Sequence, residues 1–222
     1  MIDGVLFDFS GTLFRFEPGP GWPSGAADEA TRERLVAVLT APVMATDHLP
    51  PDLRHAWTRR DLDPGLHRTV YLGVLGTTGV DLTEEESEGV YTSLTDPRAW
   101  NPYPDTEDVL RGLRAAGVPV AVVSNIAWDI RGIFARHGVE DLVDEFVLSY
   151  VEGVVKPDPR IFRIACRRLG IAPERALMVG DSPEADGGAA SAGAAVTIVE
   201  PLPTARRPDA LRHSVSALLR SV

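Results

Sequence analysis

The sequence predicts an α/β protein: a doubly wound parallel sheet, interrupted after its first strand by an all-helical insertion. Three observations lead there. Short apolar runs (Val5 to Phe7, Val118 to Val123, Phe146 to Leu148, Ala176 to Val179 and Ala194 to Val199) alternate with stretches of helical spacing. Strands alternating with helices imply parallel pairing through right-handed crossovers. Between about Ala26 and Leu94 the strand-like runs disappear and only helical periodicity remains. Finally, polar groups fall at or just beyond the ends of four runs, where open α/β sheets bind their ligands.

At 222 residues the chain can bury one core and still carry a large insertion. A formal net charge of −10 argues against a nucleic-acid or anionic-membrane partner. No apolar run approaches the roughly 20 residues that span a bilayer. The start of the chain lacks the basic residues and small-residue cleavage site of a signal peptide, so a cytoplasmic location is expected. The one cysteine, Cys166, leaves no internal disulfide framework and no cysteine-based zinc site, and its helical setting suggests a packed thiol. Among 22 basic residues there is a single lysine, Lys156. Arginine presents a wide planar fork and lysine a compact ammonium, so a lone lysine marks a place where the fork does not serve.

Taken in order, Val5-Leu6-Phe7 reads as a buried strand ending on Asp8, followed by a Ser10-Gly11-Thr12 turn. Phe14-Arg15-Phe16 leads into a Gly- and Pro-rich loop, Pro18 to Gly25. Helices are expected around Leu35 to Leu39, from Pro51 through Trp57, from Leu66 to Leu75, and from Thr83, whose following Glu84-Glu85-Glu86 suits the positive end of a helix dipole. The segment Asp96 to Pro104 is the expected return hinge, paired with a hinge over Phe16 to Gly25. Residues 1–16 and 100–222 are therefore expected to form the core, and 17–99 the insertion with its hinge loops. Beyond it, helices are expected over Asp105 to Ala116, Trp128 to His137, Arg160 to Leu169, Ala185 to Ala192 and Asp209 to Leu219, between the strands already named.

The groups at the strand ends form a chemical set: Asp8, Ser124-Asn125, Lys156 and Asp181. Asp8 can be a nucleophile, a metal ligand or both. Asp8 and Asp181 are hard oxygen ligands of the kind Mg²⁺ takes, with Asp186 assisting directly or through water. Ser124 and Asn125 can donate to phosphoryl oxygens. Lys156 can pair with Asp8 and with a phosphate, keeping the acid ionised. Singly, Ser124-Asn125 and Asp181-Ser182-Pro183 read equally as a turn or a helix N-cap; the order and placement of the whole set favour chemistry.

Asp8-Phe9-Ser10-Gly11-Thr12, Ser124-Asn125, Lys156-Pro157-Asp158-Pro159 and Gly180-Asp181-Ser182-Pro183-Glu184-Ala185-Asp186 resemble the four ordered motifs of the haloacid dehalogenase superfamily, and the insertion resembles its C1 cap. The resemblance implies a Rossmann-like core, an aspartyl intermediate on Asp8, and Mg²⁺ held by Asp8, the Ser10 carbonyl and Asp181. Ser10, Gly11, Thr12 and Asn125 are then the expected substrate-binding residues, and Asp8, Ser124 and Lys156 the catalytic ones. One position departs. The family's phosphatases usually carry a second Asp, a general acid, where this chain has Ser10. Losing a general acid typically costs about 10²–10⁴ in rate. Either the leaving group needs no acid, or a cap residue supplies the proton, or the reaction is different. His48, His55 and His67 are cap candidates for that proton, each read alternatively as a surface histidine. Related dehalogenases lack the second Asp too, but they also lack the Gly-Asp found here at Gly180-Asp181. Phosphonoacetaldehyde hydrolases use a cap lysine, which this insertion does not have.

Arg54, Arg59, Arg60 and Arg68 could recognise a carboxylate or second phosphate, though a solvated helix face is the simpler reading for most. Trp22, Trp57, Trp100 and Trp128 are expected in core or hinge packing. The resulting expectation is a Mg²⁺-dependent phosphatase of a small phosphorylated metabolite, monomeric or homodimeric. The alternatives are a metal-independent 2-haloacid dehalogenase-type hydrolase and a non-catalytic phosphate-binding protein.

Overall fold

A computed structural model of the chain describes residues 2–23, 28–40 and 49–219. Seven strands occur among them: β1 (Gly4–Phe7), β2 (Phe14–Phe16), β3 (Trp100–Pro102), β4 (Val120–Ser124), β5 (Glu145–Leu148), β6 (Ala176–Gly180) and β7 (Ala195–Ile198). Five of them make one parallel sheet in the order β5-β4-β1-β6-β7. The first strand in sequence is thus central, with Leu6 opposite Ala121 on one side and Met178 on the other. A strand covered on both faces needs apolar residues at every position, and all four residues of β1 are buried. Its side chains divide by the two-residue period: Val5 and Phe7 join the larger buried cluster, Leu6 the smaller one.

Helices cover both faces, giving the Rossmann-like α/β architecture that the alternation predicts. The insertion's described helices are α1 (Glu29–Thr40), α2 (Pro51–Trp57), α3 (Pro64–Leu75) and α4 (Glu84–Thr95). The core contributes α5 (Thr106–Ala115), α6 (Arg131–Arg136), α7 (Ser149–Glu152), α8 (Pro159–Leu169) and α9 (Ala210–Leu219). Helices α5, α6 and α9 bury Leu110, Phe134 and Leu211 on the Phe7 face, whereas α8 buries Ile161, Phe162 and Cys166 on the Leu6 face. Asp63 caps α3 by accepting from the Leu66 amide, with Pro64 in the first turn. Thr83 and Glu86 form a reciprocal capping box on α4.

Several sequence-based expectations are corrected. Phe14–Phe16 and Trp100–Pro102, read as a run into a loop and as a hinge, pair as an antiparallel ribbon, Phe16 opposite Trp100. Three residues are too few to display a period, and the pairing partner lies some 85 positions away. Phe14 and Phe16 point inward, and Arg15 is only partly covered. The ribbon joins the two ends of the insertion. The helix expected over Ala185 to Ala192 is instead a 3₁₀ segment, Asp186–Ala192, where adjacent Gly187 and Gly188 weaken α-helix propagation. The helix expected from Trp128 starts at Arg131, and the short α7 was not foreseen. Ser24 and Gly25 of the first hinge, and His48, lie outside the described residues.

Candidate active site

Asp8 follows β1 directly and is buried at the sheet's carboxyl edge, its amide donating to the Val179 carbonyl on β6. The chain then turns sharply: the amides of Thr12, Leu13 and Phe14 all donate to the Phe9 carbonyl. Gly11 makes the turn with φ +77°, and a Cβ there would overlap the Asp181 carboxylate. Asp181 arrives from the loop after β6, Asp186 from the head of the 3₁₀ segment that follows it, and Lys156 from the loop after α7.

Lys156 is the hub. Its buried ammonium donates to Asp8 Oδ1 and to Asp186 Oδ1, each at 2.6 Å. The other oxygen of Asp186 accepts from the Ser182 amide at 2.9 Å, so both Asp186 oxygens already serve the protein. The Lys156 backbone is clamped by Asn125, whose amide group donates to the Lys156 carbonyl (3.0 Å) and accepts from its N–H (2.7 Å). A compact ammonium suits this double contact, which explains the lone lysine.

Electrostatics show what the cluster lacks. Burial pushes Asp8 up to about 6, with Lys156 pulling it down and Asp186 pushing it further up. Burial and the charges of Asp8 and Asp186 push Asp181 up to about 8. Burial opposes the charge on Lys156, but Asp186 and Asp8 overcome it and hold the ammonium above its ordinary range. Asp8, Asp181 and Asp186 each offer an oxygen within 4.8 Å of the others. Three carboxylates against one ammonium leave two negative charges when all are ionised, and a hard divalent cation fits that donor set. Gly11 and Gly180 are the small residues that allow it, since a Cβ at Gly180 would overlap Asp186.

These groups form the floor of a pocket of about 70 Å³. Its wall includes Asp8, Ser10, Ser124, Asn125, Lys156, Asp181 and Asp186. Gly11 and Thr12, expected to bind substrate, are not in that wall; Thr12 is fully buried, its hydroxyl without a hydrogen-bond partner. Asn125 is in the wall, yet its amide is engaged by Lys156.

The roof comes from the insertion: Arg60, Asp61, His67 and Tyr71. His67 is therefore not the surface histidine of the simpler reading. It is buried, stacks on Tyr71 with ring centroids 4.3 Å apart, and its Nδ1 lies 3.1 Å from the Tyr91 hydroxyl. Burial and the nearby Arg60 charge lower it to about 3. Arg60 too is buried, over the Trp57 ring, while Arg54, Arg59, Arg68 and His55 are exposed. Trp100 and Trp128 line the pocket as well as packing. Sequence reasoning missed three residues. Asp61 and Tyr71 carry no local signal, because only tertiary packing decides which insertion residues face the pocket. Arg207 is buried over the Tyr103 ring and donates to the carbonyls of Gly11 (2.6 Å) and Thr12.

A Rossmann-like sheet that gathers acids and one ammonium at its carboxyl edge defines an α/β enzyme. The profile of the haloacid dehalogenase-like hydrolases matches residues 2–193, and the chain belongs to that family. It is 31% identical over 207 residues to a glyceraldehyde 3-phosphate phosphatase of Methanopyrus kandleri, covering 89% of this chain and 83% of that one. Among solved structures, a HAD phosphatase from Thermococcus onnurineus is 26% identical with a TM-score of 0.52, covering 90% of this chain and 86% of the other. The L-2-haloacid dehalogenase of Xanthobacter autotrophicus shares the fold, with 24% identity and a TM-score of 0.67 over 98% of this chain and 88% of that one.

Proposed function

We propose that this hydrolase is a Mg²⁺-dependent phosphatase of a small phosphorylated metabolite, acting through an aspartyl-phosphate on Asp8. The observation that carries the reading is the buried Asp8–Lys156–Asp186 chain beside Asp181, at the floor of a small pocket. Residues 1–16 and 100–222 are the catalytic core in this reading, and 17–99 the cap. Asp8 attacks the phosphorus. Lys156 holds Asp8 ionised and balances charge on the transferring group. Asp186 fixes the ammonium, and Ser124 donates to a phosphoryl oxygen. Asp8, Asp181 and the Ser10 carbonyl would hold the cation, assisted by Asp186. When bound, Mg²⁺ neutralises the repulsion between the nucleophile and a phosphate dianion. The relative named for glyceraldehyde 3-phosphate and the small pocket support a short substrate. The net charge of −10 supports a free metabolite rather than nucleic acid. No described helix is long and apolar enough to cross a membrane; we place the protein in the cytoplasm as a monomer or homodimer.

The test is phosphate release from acetyl phosphate and p-nitrophenyl phosphate. It should require Mg²⁺, stop with chelator, and fall at least about 10³-fold in Asp8→Asn. A second reading, a metal-independent dehalogenase, is favoured by one observation: Ser10 places a hydroxyl where a phosphatase has an acid. Halide release from 2-haloacids with chelator present would establish it in place of the first. Phosphate binding without turnover of either substrate class would leave a non-catalytic binding protein.

A further inference from the structure

We propose that Asp61, from the helical insertion, is the general acid and base of the reaction, protonating the leaving oxygen that Ser10 cannot serve. The inference rests on the phosphatase reading and names a catalytic residue within it.

Cleaving an alkyl phosphate leaves an alkoxide, which needs a proton as the P–O bond breaks. Few groups in the pocket can give one. The hydroxyls of Ser10 and Ser124 are very weak acids. The Lys156 ammonium is committed to two carboxylates and holds its proton more tightly than usual. Arginine does not deprotonate in proteins, which removes Arg60. His67 is neutral above about pH 3, so it has no imidazolium proton to donate. Burial raises the Tyr71 hydroxyl above its ordinary range. Asp8, Asp181 and Asp186 belong to the nucleophile and its cation. Asp61 is the carboxyl that remains.

Its placement fits the task. Asp61 is 6% exposed and lies in the wall of the pocket that also contains Asp8 and Ser10. Its backbone is fastened to the core: the buried Ser149 hydroxyl donates to the Asp61 carbonyl at 2.6 Å and accepts from the Ile126 amide at 2.9 Å. This bond ties residues 88 positions apart in the chain. It joins the insertion to the start of α7 and, through Ser149, to the loop after β4, at the carboxyl edge of the sheet. The groups facing its carboxyl are Arg60, 3.3 Å from Oδ2, and His67, whose Nε2 is 3.8 Å from Oδ1 and so beyond hydrogen-bond range. Tyr71 stands beside them, and the Lys156 charge is felt from the floor. Burial raises the proton affinity of Asp61 above the ordinary carboxylate, against the pull of Arg60 and Lys156.

In the first step a carboxylate oxygen of Asp8 bonds to phosphorus, and the P–O bond to the leaving group breaks. Its electron pair goes to the leaving oxygen, which takes the Asp61 proton and departs as an alcohol. In the second step water attacks the phosphorus and gives a proton to the Asp61 carboxylate. The P–O bond to Asp8 breaks with its electrons returning to the Asp8 carboxylate. Inorganic phosphate leaves, and Asp61 is again protonated.

The experiment measures kcat/KM of the full chain with Mg²⁺ for acetyl, p-nitrophenyl and phenyl phosphates and glycerol 3-phosphate, a series of worsening leaving groups. Wild type should depend weakly on leaving-group pKa. Asp61→Asn should lose about 10²–10³-fold on glycerol 3-phosphate, with a loss on acetyl phosphate at least about thirtyfold smaller. Adding Ser10→Asp to Asp61→Asn should restore part of the glycerol 3-phosphate activity. A steep leaving-group dependence already present in wild type overturns the proposal without requiring any variant to fold. So does an equal loss on all four substrates in Asp61→Asn. In both cases Asp8-dependent acetyl phosphate hydrolysis leaves the phosphatase reading standing. Absence of Asp8-dependent phosphate release from all four substrates overturns both.

Discussion

At the scale of single residues, the acid cluster depends on what its neighbours omit. Gly180 ends β6, and a methyl group there would occupy the space of the Asp186 carboxylate. Gly180→Ala should displace Asp186, release Lys156, and weaken Mg²⁺ binding at least about tenfold by titration calorimetry, because a misplaced anchor typically costs 10- to 100-fold in metal affinity. The same cluster sets a pH dependence. Asp8 and Asp181 stand at about 6 and about 8 when folded, against roughly 4 in an unfolded chain. Between about pH 4 and 8 these two acids bind more protons in the folded state, and their contribution to stability falls as pH rises; His67, lowered to about 3 when folded, offsets only one of the two below about pH 6.5, so the net trend is downward. The Tm of metal-free protein should decrease from pH 5 to pH 8.5. Saturating Mg²⁺ should shrink that decrease, and Asp181→Asn should do the same without metal. A rising Tm over that range would contradict the assigned charges. Legibility at this scale was uneven. Lys156 stood out because it is the chain's one lysine, and its partners lie at strand ends. Asp61 is one of three acids in Asp61-Leu62-Asp63 and Asp52, and nothing local distinguishes the inward one from the helix cap at Asp63.

At the scale of elements, periodicity located the long segments and failed on the short ones. The sheet strands are covered on both faces, so their apolar runs are unbroken and readable. The ribbon of β2 and β3 has three residues a side and acquires its register from a partner across the insertion. The sequence carries no expectation for residues 200–207, yet Arg207 within them grips the turn that follows Asp8. That arginine lies beyond the stretch matched by the family profile. Arg207→Met keeps the apolar stem over Tyr103 and removes both donors to the turn. It should lower kcat roughly 10–100-fold, the scale of a displaced catalytic group, while far-ultraviolet circular dichroism stays native. A variant with wild-type kcat would show that the turn holds its shape unaided.

At the scale of the whole molecule, the floor of the pocket was legible and its roof was not. Alternation of strands and helices fixes which loops share the carboxyl edge, so Asp8, Ser124, Lys156 and Asp181 could be placed together from sequence alone. The roof depends on how helices with no strand-imposed register settle over that edge, which no spacing rule encodes. Arg60 and His67 accordingly sit inside the pocket rather than on the solvent-facing surface. In the proposed phosphatase, a pocket of about 70 Å³ favours a phosphate carrying a few further atoms. Glycerol 3-phosphate should exceed nucleoside monophosphates in kcat/KM by at least about 10²-fold, since one misfitted group costs a decade or more. Comparable values would mean that the insertion swings clear of the edge during turnover.

The central position of β1 has a bearing on biosynthesis. The strand made first has neighbours from residues 120–124 and 176–180, and the ammonium that Asp8 meets is 148 positions downstream. At about 5–20 residues per second, the ribosome takes roughly 7–30 s to travel between the two. Throughout that interval the nascent chain holds an aspartate whose partner ammonium has not been made and an aliphatic stretch with no ladder, and the buried cluster can form only as the last third of the message is read.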